Sequence, residues 1–238
     1  MQLRKTFKVV FYDRRGFSRS TLSGGQDYAH RLETDADDAA HLIEQLSAPD
    51  EPGATVLGNS SGAVVGLELL TRHPDSVRLL LAHEPPAVSL LPDAEEILAE
   101  HKAIYQTYRA SGIAPAAEEF AASIKAGPEK EGFLRSMDPK SNQYAFANSM
   151  YWFERELWYY AAHRHDLEKL RAQSGKLLLL NGKDSNPEAL QYRPNLLLAE
   201  MFGIEVHSVP GGHVGFALEA LGWAREVLEI LREKDSSF

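Results

Sequence analysis

The chain has 238 residues, of which 44% are hydrophobic and 25% charged, enough for one large domain with a sizeable core. Its 25 Lys and Arg against 34 Asp and Glu leave a formal charge of -9, which disfavours nucleic acid or an anionic membrane as a main partner, because nothing offsets phosphate repulsion. There is no cysteine, so disulfides, thiolate nucleophiles and Cys-ligated zinc are excluded. The longest apolar runs, such as residues 63–67 and 177–180, are far short of the ~20 residues a membrane span needs. The basic N-terminal stretch holds too short an apolar run for a secretory leader, and a soluble, cytoplasmic protein is the expectation.

In chain order, residues 7–12 (FKVVFY) read as a strand broken by Asp13-Arg14-Arg15-Gly16. Thr34 to Asp37 reads as a capping box, with Ala36, Ala39, Ala40, Ile43 and Leu46 forming the apolar face of a helix that Pro49 through Gly53 ends. A strand at 55–57, a helix at 63–70 stopping near Pro74 and a strand at 77–82 follow. Strand–helix alternation at this spacing means a parallel sheet with crossover helices. Residues 87–171 then read as helices only, a cap inserted over the sheet's C-terminal edge. The α/β rhythm resumes with strands at 176–181 and 205–209 and helices at 188–202 and 217–233. The expected domains are therefore a core of residues 1–86 and 172–238 and a cap of residues 87–171. Aromatics crowd the end of the cap, and Tyr151, Trp152 and Trp158 are either pocket lining or helix-packing core.

Gly58-Asn59-Ser60-Ser61-Gly62 sits between a strand and a helix, the context of a nucleophile elbow. A strand that becomes a helix within one residue strains the backbone and crowds the positions two before and two after it, so both should be glycine. Ser60 is then lifted out at a helix N-terminus, where free N–H groups favour developing negative charge, and the Ser61 N–H is the natural oxyanion donor. Serine needs a base. His213, in Pro210-Gly211-Gly212-His213, follows a strand, late in the chain. His163 and His165 resemble a metal pair, but alternate residues diverge on a helix and no third ligand is evident, so no metal is expected. Asp184 follows a strand and precedes a helix, which gives the chain order Ser60, Asp184, His213.

With these blocks (VVFYDRRGFSRS, GNSSG, LLLAHEPP, LLLLNGKDS and PGGHVGF) the chain resembles an α/β-hydrolase of the serine-esterase type. The resemblance implies an eight-stranded, mostly parallel sheet flanked by helices, an inserted helical cap, a Ser–His–acid triad, acyl-enzyme chemistry and no cofactor. The acid is expected at Asp184, with Glu84, at the end of the preceding strand, as the alternative. Asn59 and Val214 join the aromatics as expected pocket residues. Such folds begin with further strands and an oxyanion loop before the strand at 7–12, and only six residues stand there. The loop around Arg14–Gly16 is the candidate replacement donor, and the unfinished sheet edge invites pairing between chains. The expected activity is hydrolysis of a carboxylic ester or related small acyl substrate. A cofactor-free perhydrolase or haloperoxidase-like activity, and an inactive truncated homologue that binds a small ligand, are the alternatives.

Overall fold

A computed structural model describes residues 3–5, 7–48 and 53–234. Four strands, β1 (Ala54–Asn59), β2 (Val77–His83), β3 (Leu177–Gly182) and β4 (Val206–Val209), pair in that order and all in parallel. Before and between them lie α1 (Arg31–Leu46), α2 (Ser61–Arg72) and, after β2, only helices and turns: α3 (Ala94–Ser111), α4 (Ile113–Ser123), α5 (Lys130–Met137), α6 (Ala145–Arg155), α7 (Tyr159–Ala162) and α8 (Leu167–Ala172). The chain closes with α9 (Arg193–Phe202) between β3 and β4, then α10 (Gly215–Leu218) and α11 (Ala220–Lys234).

The two inner strands are buried on both faces, as a parallel sheet covered by crossover helices requires. Their side chains alternate between two cores. Leu80, Ala82, Leu177 and Leu179 meet Ala36, Ala39 and Ala40 of α1 and Leu67 and Leu70 of α2. Leu79, Leu81, Leu178 and Leu180 meet Trp223, Val227, Ile230 and Leu231 of α11. The alanines of α1 let that helix approach α2 closely. No helix among the described residues is long and apolar enough to cross a membrane.

Several sequence expectations are corrected. Residues 7–12 form no strand: Phe11 is 91% exposed, and only Phe7 of this run packs, with Leu3, against the α11 core. A strand forms only with a partner, and among the described residues β1, the edge strand on that side, pairs with β2 alone. Four strands, not eight, are present among the described residues. α1 begins three residues before the expected capping box, and Thr34 Oγ1 donates back to the His30 carbonyl (2.8 Å) instead of capping. It ends at Leu46, and of the expected stop at 49–53 all but Gly53 lie outside the described residues. The expected helix at 188–202 starts only at Arg193, and the one at 217–233 is interrupted at Glu219.

Candidate active site

The C-terminal ends of β1, β2, β3 and β4 lie along one edge of the parallel sheet, and helices between β2 and β3 face the ends of β1 and β2. Between the two lies a cavity of about 190 Å³. Asn59, Ser60, Ser61, His213 and Val214 line its floor, and Phe120, Phe133 and Trp152 part of its roof.

Ser60 joins β1 to α2 with φ 53° and ψ -124°, a strained conformation for a residue with a side chain, held by a hydrogen bond from its N–H to the His83 carbonyl (3.0 Å). Gly58 permits the turn: a Cβ there would lie 2.6 Å from Ala63 Cα and would overlap the Gly62 carbonyl. A Cβ at Gly62 would meet nothing within 4 Å beyond its own helix, so of the two expected crowding positions only Gly58 excludes a side chain. Ser61 opens α2, and its N–H has no acceptor among the described residues.

His213 Nδ1 bonds to Glu84 Oε2 at 2.8 Å. Glu84 is fully buried, sits at φ 45° directly after β2, and receives a second hydrogen bond on Oε1 from the Gly182 N–H (2.9 Å). Burial raises the carboxyl pKa, but the hydrogen bond and charge of His213 outweigh it and hold Glu84 below the ordinary range. Asp184 is exposed, and its backbone N–H bonds to the Gly211 carbonyl. Its carboxylate makes no hydrogen bond or ion pair with His213. The expected pairing of His213 with Asp184 is therefore replaced by one with Glu84, because the chain turns the latter inward under the sheet edge and the former out to solvent.

Asn59 does more than line the cavity. Its Nδ2 donates to the His213 carbonyl (3.0 Å) and to His83 Nδ1 (2.8 Å), which fixes the loop that carries the imidazole. His83 is buried beneath it, its ring stacked on His213 with centroids 6.2 Å apart. From the roof, Glu129 accepts the Val214 N–H at 3.2 Å, and burial raises its pKa.

Trp152 and Val214 line the cavity as expected, while Tyr151 and Trp158 do not. The Tyr151 ring lies over Gly16 and packs edge-on against Phe17, and Trp158 receives the Lys102 ammonium on its face. Trp152 meets Phe120 edge-on, whereas its neighbour Phe153 stacks on Tyr108 in the helix-packing core, so the aromatic run serves both roles. Glu156, Tyr160 and His101 line the cavity too and were not singled out in the sequence. The loop around Arg14–Gly16 lines no part of it, and the Gly16 N–H is occupied by the Ser20 carbonyl, so this loop supplies no replacement oxyanion donor. Arg14 instead bridges Asp35 (2.7 Å) and Glu156 (2.8 Å).

Burial pushes the imidazole pKa of both His83 and His101 down to about 4, so the folded state keeps them neutral where the unfolded chain protonates them. The unfolded state then binds more protons between pH 6.5 and 4, and stability falls as pH drops through that window. At about 1.4 kcal/mol per pH unit, each imidazole accounts for about 3 kcal/mol across it. Melting temperature followed from pH 7 to 4 is expected to fall, and to fall less steeply in His101→Gln. An unchanged slope in that variant would contradict the assignment.

The chain matches the alpha/beta hydrolase fold family over residues 2–218. It is 30% identical over 233 residues to the uncharacterised hydrolase YraK of Bacillus subtilis, which covers 96% of this chain and 80% of that protein. In fold it is similar to a carboxylesterase structure from the thaumarchaeon Nitrososphaera gargenis (TM-score 0.69, 18% identity, 95% of this chain and 80% of that one). A thermophilic esterase from Thermogutta terrifontis is similar as well (TM-score 0.66, 21% identity, 93% and 78%). The chain belongs to the α/β-hydrolase family.

Proposed function

We propose that the protein is a serine hydrolase that cleaves a carboxylic ester or related acyl substrate through an acyl-enzyme on Ser60. The observation that carries this reading is the Glu84–His213 hydrogen bond at the rim of the cavity that the strained Ser60 enters. With Nδ1–H donated to Glu84, the imidazole is held in the tautomer that leaves Nε2 unprotonated as general base. Nε2 takes the Ser60 proton as Oγ attacks the carbonyl, and Glu84 stabilises the imidazolium that results. The tetrahedral oxyanion takes a hydrogen bond from the Ser61 N–H, supported by the dipole of α2. His213 then protonates the leaving alcohol, and a water, deprotonated by the same nitrogen, releases the acid and frees Ser60. None of these steps uses a cofactor. Phe120, Phe133 and Trp152 give the cavity an apolar roof suited to the acyl group.

A fluorophosphonate phosphonylates a serine activated in this way. It is expected to label the wild-type chain stoichiometrically and to leave Ser60→Ala unlabelled. Equal labelling of the two proteins would end the proposal.

A further inference from the structure

A second group of chemically competent side chains lies away from the Ser60 cavity, where the chain leaves the inserted helices for β3. His163 and His165 stand between α7 and α8, not on a helix. The backbone at His163 is extended (φ -60°, ψ 135°), and in extended chain residues i and i+2 project to the same side. This removes the reason for which the sequence argued against a pair. The third group comes from α2, far away in sequence: Glu68 Oε2 lies 2.9 Å from His163 Nε2 and 3.8 Å from His165 Nδ1. The two imidazole rings meet at 73° with centroids 4.8 Å apart.

His165 carries the argument furthest. Its side chain is fully buried, and neither ring nitrogen has a hydrogen-bond partner among the described residues. A buried imidazole with both nitrogens unmatched is uncommon and calls for a ligand not yet named. The donor atoms of Glu68, His163 and His165 all lie within 4.8 Å of one another. Around a four-coordinate ion bound at about 2.0–2.2 Å, neighbouring donor atoms stand about 3.4 Å apart, between the two Glu68 distances observed. The chain at this point is also held in place, since Ser89 Oγ donates to the His163 carbonyl at 2.5 Å.

We propose that Glu68, His163 and His165 bind one divalent transition-metal ion of the zinc type, with water as the fourth ligand on the partly exposed side of His163. Two imidazoles and one carboxylate form a borderline donor set that favours zinc and its neighbours over calcium or magnesium, which prefer oxygen. Glu68 is two turns beyond Ser60, about 12 Å along the axis of α2. The ion therefore stands apart from the Ser60 chemistry and clamps the nucleophile helix to the end of the helical insertion.

The full chain, stripped with a chelator and titrated with Co²⁺ as a spectroscopic substitute for Zn²⁺, tests this. One Co²⁺ per chain is expected, with the visible absorption of a four-coordinate site, and Zn²⁺ should displace it and raise the melting temperature by several degrees. Glu68→Gln and His163→Gln are each expected to weaken binding by about 100-fold or more, since even loss of an outer-shell partner costs 10–100-fold. His73→Gln, which alters a surface imidazole paired with Asp37, should bind as the wild type does. If Glu68→Gln does not fold, His163→Gln decides alone, because that side chain is one-fifth exposed. Absence of saturable uptake, or uptake that survives in each folded ligand variant, overturns the proposal.

Discussion

Glu84→Gln is expected to lower kcat for an activated ester about 10⁴-fold, while Asp184→Asn leaves it within about twofold. Glutamine matches glutamate in shape. Its amide oxygen can keep accepting the Gly182 N–H now bound to Oε1, at 2.9 Å. The amide NH₂ must then face His213 Nδ1, where the carboxylate oxygen stands at 2.8 Å. A donor in that place forces Nδ1 to accept, so the ring proton moves to Nε2 and the base can no longer take the Ser60 proton. The imidazolium also loses the negative charge that stabilises it. Both effects act on the transition state, so kcat should fall with little change in KM. Asp184 is exposed and faces none of this, and its replacement is an ordinary surface change. Steady-state kinetics of the two variants beside the wild type, with melting curves to confirm folding, separate the two carboxylates. A large loss in Asp184→Asn with Glu84→Gln near wild type would reverse the assignment and return the acid to the strand after the helical insertion.

The ambiguity between these carboxylates shows how far the sequence could be read. Both follow a buried strand, both precede a turn, and both fit the chain order of a triad. What distinguishes them is the direction in which the side chain leaves the backbone. At Glu84 that depends on a positive φ of 45°, which the residue type does not announce. One signal was present: an acidic residue placed between the apolar β2 and a Pro-Pro pair has little route to solvent. The elbow was legible because its constraint is steric and local, acting between Gly58 and the turn that follows it. The parallel core was legible for a similar reason, since the apolar runs of β2 and β3 are buried on both faces whatever surrounds them. Residues 7–12 have a strand's composition but not a strand's surroundings, and composition cannot supply a hydrogen-bonding neighbour. The same holds for His163 and His165, whose spacing reads as divergent only if the segment is helical. Neither their extended backbone nor the approach of Glu68 from α2 is written near them in the chain.

Arg14→Met is expected to destabilise the protein by about 3–5 kcal/mol, because it leaves buried charge without its counterion. Arg14 stands in the loop before α1, yet it reaches Asp35 on α1 at 2.7 Å and Glu156, just past α6, at 2.8 Å. Each of these carboxylates belongs to a residue only 1% exposed. Asp35 keeps other partners when the guanidinium goes, since Arg31 lies 2.6 Å away and the Tyr160 hydroxyl donates to it at 2.6 Å. Glu156 has no second cation among the described residues, so most of the cost falls there. It also lines the Ser60 cavity, which links the loop, the first helix and the cavity wall through one side chain. At about 2–4 °C per kcal/mol for a chain of this size, the melting temperature should fall by roughly 6–20 °C. Arg14→Lys should recover only part of this, because an ammonium cannot present the planar fork that spans two carboxylates. The decisive comparison is the double variant Arg14→Met with Glu156→Gln. If the uncompensated charge is the cause, removing it restores stability, and the double variant melts above Arg14→Met alone. If the double variant melts lower still, the loss comes from packing around Arg14 and the electrostatic account fails.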